Sequence, residues 1–473
     1  MLNPVTDAFL NRLRTEIGVA AFREIAPKYL EEPRGRWRGH AGAVIAPTST
    51  EEVAKTVALA ADARVGVVPY GGGTGLVAGQ VMADGPLPLV ISFERMERIR
   101  GVYPEEGVIV VEAGATLARI QEAATEAGRL FPLSYASEGS ARIGGALAVN
   151  SGGLNVVRYG NARELALGIE AVLPNGEILH GLKRLRKDNT GYDLRHLLIG
   201  AEGTLGLITA ASLRLVTPPA EIATAMLVVD TPEAALALFE RATATLGGTI
   251  SAFELISGVG LGFLAEAGLP AKAPFDPAPN WSVLVELGTS PGQTAAAMLE
   301  DLFAEAAEAG LTSDGVIAVS EAQRQALWHM RESIPEANRA IGAVASHDIA
   351  LPLSEIPAFL AETGRLLSEV APVRINAFGH LGDGNLHYNL FPRVGERREE
   401  YDAQRHALTR IVHDQAVAKG GTFSAEHGIG RLKVGDLERY GDPARLGAMR
   451  AIKAALDPLG IMNPGAVLAR DTA

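Results

Sequence analysis

The residues best equipped for chemistry fall in three short stretches of the second half of the chain. RINAFGHLGDGNLHYNL carries His380 and His387, SAEHGIG carries Glu426 and His427, and WHMRESIP carries Arg331. Two imidazoles and a carboxylate form an N,N,O donor set. Such a set leaves positions open on a divalent cation, as a catalytic metal site requires and a structural one does not. A further imidazole titrates near neutrality and can take a proton from a substrate. A guanidinium matches a carboxylate in bidentate fashion.

The spacing of the first stretch has a geometric reading. RINAFGH and NLHYNLF each read as strands, and Asp383-Gly384 between them is a two-residue hairpin signal. That turn pairs 382 with 385, 381 with 386 and 380 with 387, which places the histidines directly opposite one another. Cβ atoms so placed lie about 4.5–5.5 Å apart and suit two imidazoles converging on one ion. A surface pair or a hydrogen-bonded core pair would have the same spacing. For Arg331 the competing arrangement is a helix-surface pair with Glu332 or Glu336.

The first half is rich in glycine. Strand VGVVPY ends in Pro69-Tyr70 and runs into Gly71-Gly72-Gly73-Thr74-Gly75-Leu76, whose backbone N–H groups could ring a phosphate. The run from Gly73 also fits a dinucleotide fingerprint, but that reading needs a helix directly after the glycines. The following LVAGQVMADGPLPL, broken by Gly79, Gly85, Pro86 and Pro88, predicts none. A second block holds Ser137-Glu138-Gly139, Ile143-Gly144-Gly145, Asn150 and Gly153, then Tyr159-Gly160. So many small residues suit backbone packed along a large flat ligand better than a core element. A third block runs from Lys187 through Glu202, Gly206 and Ile208.

The elements that must position these groups alternate. Residues 1–37 read as a helical lead-in, and Thr50 reads as the N-cap of EEVAKTVALAADA. Short apolar strands and amphipathic helices then follow one another as in an α/β unit, up to a break at Pro218-Pro219. Beyond it, a repeated strand–helix rhythm predicts a split βαβ, ferredoxin-like second domain. The 473 residues exceed what one core accommodates, roughly 250–300, so at least two domains are expected. A net charge of -12 argues against nucleic acid as a partner. The absence of cysteine excludes disulfides, Cys-ligated clusters, a thiol nucleophile and a flavin tethered through Cys. No stretch reaches the roughly 18 apolar residues of a membrane span. The N-terminus, with Asp7 and Glu16, resembles neither a signal nor a transit peptide, so a cytoplasmic location is expected.

Taken together, PYGGGTGL, SEGSARIGGALAVNSGG, RYGNARELALG, LPNGEIL, KDNTGYDLRHLLIGAEGTLGLIT and the closing MNPG resemble the FAD-linked oxidoreductases of the vanillyl-alcohol oxidase / p-cresol methylhydroxylase type. Among these, the chain is most similar to the D-2-hydroxyglutarate / D-lactate dehydrogenase branch. The resemblance spans about residues 40 to 468. It implies an α+β protein: a PCMH-type FAD-binding domain of two α/β subdomains at 1–218, a ferredoxin-like cap at 219–423, and a segment at 424–473 that returns to the FAD domain. Residues 71–75 would then wrap the pyrophosphate. Pro69, Leu76, Gly79, Pro132, the 137–153 block, Tyr159, Gly160, Glu202, Gly206, Ile208 and Asn463 would line the rest. With no His in 69–80 and no Cys, the FAD is expected to be non-covalent.

The resemblance further implies that His380, His387 and Glu426 hold a divalent metal, Zn²⁺ before Mn²⁺ or Fe²⁺. His427 would be the base, with Arg331 and Asn389 binding the carboxylate of a D-2-hydroxy acid. Electrons would leave to an external carrier (an electron-transfer flavoprotein, a quinone or a cytochrome), and a homodimer is compatible. One position departs. Dicarboxylate-specific relatives carry Lys where Ala345-Ser346-His347-Asp348 has Ser346, which weakens the case for strict 2-hydroxyglutarate specificity. Two other readings use the same fold: a glycolate- or aldonolactone-type oxidase, and an FAD-binding subunit of an oxidase complex. The metal ligands argue against the first, and His427 with Arg331 argue against the second.

Overall fold

The structure, a computed structural model, describes residues 1–470 apart from residue 272. It divides into two compact units. One comprises Met1–Gly153, Tyr159–Pro218 and Glu426–Ala473, the other Leu154–Arg158 and Pro219–Ala425.

The first unit contains two sheets. One has the order β1-β2-β4-β3, from Phe22–Arg23, Ala43–Ile45, Val67–Tyr70 and Leu89–Ser92 as β1 to β4. Strands β2, β4 and β3 run parallel, and every residue of β4 is buried, as expected of a run covered on both faces. The second sheet is antiparallel with the order β5-β6-β9-β7-β8. These strands are Ile99–Tyr103, Val108–Glu112, Ala166–Val172, Ile178–Gly181 and Leu207–Arg214 as β5 to β9. No helix lies between β3 and β4, so the glycine loop is not a Rossmann turn.

Two local expectations are corrected. In the lead-in only Asp7–Ile17 is α-helical. Gly18 (φ 77°) ends it, Pro27 opens only a single 3₁₀ turn, and Phe22–Arg23 joins a sheet edge instead. The helix Thr50–Ala63 is capped by Ser49, not Thr50: the Ser49 hydroxyl accepts from Glu52 N at 3.2 Å. Thr50 is buried, and its hydroxyl donates to the Glu170 carboxylate.

The second unit is built on a seven-stranded antiparallel sheet of order β13-β10-β12-β11-β15-β16-β14. Its strands are Glu221–Val229, Ile250–Ser257, Trp281–Thr289, Asp314–Ile317, Ala345–Ala350, Arg374–His380 and Asn385–Phe391 as β10 to β16. The first four, ordered 4-1-3-2 in chain sequence, are the expected ferredoxin-like half. Strands β15, β16 and β14 extend it beyond that expectation and carry the histidines.

Side chains alternate along each strand. Phe253, Leu255, Val283, Val285, Leu386, Tyr388 and Leu390 turn to one face, against the helices Pro232–Leu246, Ala295–Glu308, Ile356–Val370 and Arg405–Ala418. Each fully buried Leu or Phe there contributes about 1.5–3 kcal/mol. Ala252, Ile256, Leu284, Phe378 and Phe391 turn to the other face, against the helices Gly258–Glu266 and Glu321–Ile341. Among the described residues no helix is long and apolar enough to cross a membrane.

Candidate active site

The second face of the seven-stranded sheet carries polar residues where period-2 alternation would otherwise continue the core. Glu286 on β12, Glu254 on β11 and His380 on β15 are all buried, with Glu254 fully so. The helix Glu321–Ile341 crosses this face and presents Trp328, Arg331 and Asn338 at helical spacing, one strand apart in reach. Trp328 Nε1 donates to Glu286 at 2.6 Å, and Glu286 also accepts from Thr224 and Arg324. Asn376 on β15 donates to Asn338 at 2.9 Å.

Between these pairs sits the charged centre. Arg331 Nε and Nη2 lie 2.7 and 2.6 Å from Glu254 Oε2, and the guanidinium rests 4.9 Å from the Phe378 ring centre. Glu254 Oε1 lies 2.5 Å from His380 Nδ1. Burial works to raise the Glu254 carboxyl, but the Arg331 charge and His380 outweigh it and hold it at about 2. Arg331 therefore pairs with neither Glu332 nor Glu336 but with an acid 77 residues away in the chain. Removing one partner of so buried a pair costs about 3–5 kcal/mol.

The histidines share this face, but their register differs from the expected one. Phe378, not His380, stands opposite His387. Instead of a two-residue turn, Leu381–Asp383 forms a 3₁₀ turn closed by Gly384 at φ 83°, which shifts the pairing by two residues. A two-residue shift preserves the face. His380 and His387 are thus diagonal neighbours, with ring centres 5.8 Å apart and planes at 77°. Gly379 is required here, since at its φ of 149° a Cβ would lie 2.6 Å from Asn385 O.

Asn389 lies on the same face as His387. Its Oδ1 accepts from His347 N at 3.3 Å, and across the strand pair it meets Ser346, which is exposed. Asp348 stands opposite His387 and accepts from Asn385 Nδ2 at 2.9 Å. Asp348 also bridges to Ser424, and its carbonyl accepts from Ala425 N at 3.2 Å. That contact fixes the chain one residue before Glu426. In the first unit, His427 Nε2 lies 3.6 Å from Glu426 Oε1.

The glycines of the first unit sort into two groups. Gly72, Gly73 and Gly144 are required by packing: a Cβ would lie 2.0 Å from Ser140 O, 2.3 Å from the Tyr70 hydroxyl and 2.7 Å from Ala113 Cβ. Gly139 and Gly145 are not so required, since a Cβ there meets no described atom within 4 Å, and at Gly71 it would meet only ordinary contacts, nearest Gly145 Cα at 3.6 Å. None of these three has positive φ. Glycine at such positions leaves open backbone that a side chain would fill, which fits a large planar cofactor.

Other residues expected to line the cofactor spend their side chains on the protein. Glu202 (φ 51°) accepts from Ile429 N and Gly430 N at 2.7 and 2.8 Å. Burial pushes its carboxyl up despite these donors. Asn463 donates to the Glu202 and Gly79 carbonyls and accepts from Arg431. Glu138 accepts from Gln121 and Ser134, Asn150 Oδ1 accepts from Arg163 N, and Ile208 is a core residue of β9. These groups shape the loops and leave the backbone to face a ligand.

Sequence reasoning passed over two groups. Glu254 is the one charge in the buried strand ISAFELIS, and a lone acid in a buried strand signals a buried partner. Tyr135 has its hydroxyl pushed up to about 12 by burial, offset in part by Ser151, and no motif pointed to it.

Comparison with known proteins agrees with this architecture. Residues 41–181 match the FAD binding domain family, and residues 218–467 match the FAD linked oxidases, C-terminal domain. The chain is 38% identical over 432 residues to a D-2-hydroxyglutarate dehydrogenase of Xanthomonas citri pv. viticola, covering 91% of this chain and 90% of that one. It is 35% identical to the mitochondrial D-2-hydroxyglutarate dehydrogenase of Bos taurus, covering 93% and 79%. Among solved structures, p-cresol methylhydroxylase with substrate bound superposes with a TM-score of 0.74 at 15% identity, covering 99% of each chain. Two family matches and two relatives aligned over nine-tenths of the sequence show that this chain belongs to the FAD linked oxidases.

Proposed function

We propose that the protein is an FAD-dependent, metal-assisted D-2-hydroxy acid dehydrogenase that acts on D-2-hydroxyglutarate. The observation that carries the reading is the polar face of the second unit, Arg331–Glu254–His380 beside His387, in a chain 38% identical to an enzyme of that name. The bound flavin supplies the acceptor for the hydride from the substrate Cα. A divalent cation, Zn²⁺ by its N,N,O donors, supplies Lewis acidity at the substrate hydroxyl. His380 and His387 fit this role: they share a face, and His380 is held through Nδ1 by a carboxylate, the usual partner of a ligating imidazole. Glu426 is assigned as third ligand because Ala425, the residue before it, is tied to Asp348, which faces His387.

His427 takes the proton from the substrate hydroxyl. Arg331 and Asn389 hold the α-carboxylate and so fix which face of Cα meets the acceptor. An external acceptor would take up the electrons from the cofactor. The open backbone at Gly71, Gly139 and Gly145 belongs to the non-covalent cofactor.

Ser346 favours a second reading of the side-chain preference. It is exposed opposite Asn389, and it brings no cation to a distal carboxylate. A D-2-hydroxy acid without that group, such as D-lactate, is then an additional substrate. Steady-state kcat/KM with an artificial acceptor for D-2-hydroxyglutarate and D-lactate separates the two. A clear excess for the dicarboxylate supports the first, parity supports the second, and turnover of neither contradicts both.

A further inference from the structure

We propose that Glu254 is a positioning residue that serves His380 and Arg331 at once, one carboxylate oxygen to each, and so couples metal binding to anchoring of the substrate carboxylate. The inference rests on the proposed roles of His380 as metal ligand and Arg331 as substrate anchor. Glu254 has no solvent exposure and stands directly opposite His380 in the β11–β15 pair. Its Oε1 goes to His380 Nδ1 and its Oε2 to Arg331 Nε and Nη2.

An ionised carboxylate at Nδ1 places the imidazole proton there and makes Nε2 the ligating nitrogen. The same carboxylate fixes one edge of the guanidinium, and the Phe378 ring packs against its plane. Arg331 Nη1 makes no hydrogen bond among the described residues, so its two donors remain for an anion. Glu286, another acid on this face, does not substitute for Glu254, because it accepts from Trp328, Thr224 and Arg324.

A carboxamide cannot replicate this division. Gln at 254 has one acceptor oxygen, and its amide nitrogen would face the second donor. The expectation for Glu254→Gln, as flavin-loaded full chain, is a roughly 10- to 100-fold weaker affinity for Zn²⁺, measured by competition with a chromophoric chelator. KM for D-2-hydroxyglutarate should rise together with it. Glu254→Asp should recover part of the Zn²⁺ affinity.

Two further variants keep the test open if the Gln variant does not fold. Arg331→Met retains Glu254 on His380, so Zn²⁺ affinity should stay near wild type while KM rises. The double variant Glu254→Met/Arg331→Met leaves no unpaired buried charge, and its Zn²⁺ affinity should fall as in Glu254→Gln. Wild-type Zn²⁺ affinity in both the Gln and the double variant, with KM unchanged in the former, overturns the proposal. A wild-type chain that takes up no Zn²⁺ overturns the metal reading and the coupling with it. The wild-type titration therefore tells the two failures apart.

Discussion

Gly71, Gly139 and Gly145 in the first unit offer a ligand open backbone, whereas Glu254, His380 and His387 on one sheet face of the second, with Arg331 on the helix that crosses it, offer charge and donor atoms. A flavin is large, flat and supplies its own reactivity, so a protein gains most by getting side chains out of its way. A small hydroxy acid has no such reactivity. It needs a cation, a base and a carboxylate anchor at fixed distances, and these require side chains locked by partners. The first region should therefore be sensitive to added atoms and the second to removed ones.

The largest expected effect breaks the first half of that contrast. Gly145→Leu places a side chain where a Cβ meets nothing within 4 Å, at a helical position that favours leucine. The chain should fold with an unchanged near-UV circular dichroism spectrum of the apoprotein yet purify without flavin absorbance and without activity. A yellow, active Gly145→Leu enzyme would show that the open glycines do not face the cofactor.

Next comes the removal of a working side chain. His427→Asn should lower kcat by about 10²–10⁴-fold, the usual contribution of a general base, with flavin content preserved. Arg331→Met should lower kcat/KM by roughly 10- to 100-fold, the worth of one charge-assisted contact, expressed mostly in KM. A change in kcat alone would move Arg331 out of carboxylate binding.

The register of the histidine hairpin shows where sequence reading stops. The strands, the face and the participating residues at 374–391 were legible from alternation and from the Asp-Gly signal. The turn type was not, because Gly379 and Gly384 together allow a longer 3₁₀ connection that keeps the same face with a two-residue shift. Arg331 was legible as a cation on a helix, but its partner Glu254 was not, since no local pattern joins residues 77 positions apart. In the first unit the loop without a helix was readable from Gly85, Pro86 and Pro88. The internal duties of Glu202 and Asn463 were not, because each depends on where a distant loop returns.

The smallest expected effect sharpens the comparison by addition in the second unit. Ser346→Lys supplies a cation at an exposed position opposite Asn389. Because solvent screens it, the gain in kcat/KM for D-2-hydroxyglutarate over D-lactate should be only about two- to five-fold. A loss for both acids would mean that the position tolerates no bulk.

The central claim is that a metal-assisted set of side chains in the second unit, with His427, delivers a D-2-hydroxy acid to the flavin. Anaerobic rapid mixing tests it most directly, by following flavin absorbance after adding D- or L-2-hydroxyglutarate to the enzyme as purified, after chelation, and after Zn²⁺ is restored. Rapid bleaching by the D-acid alone, abolished by chelation and recovered with Zn²⁺, is the predicted result. Bleaching that survives complete metal removal, or none with either enantiomer, would contradict it.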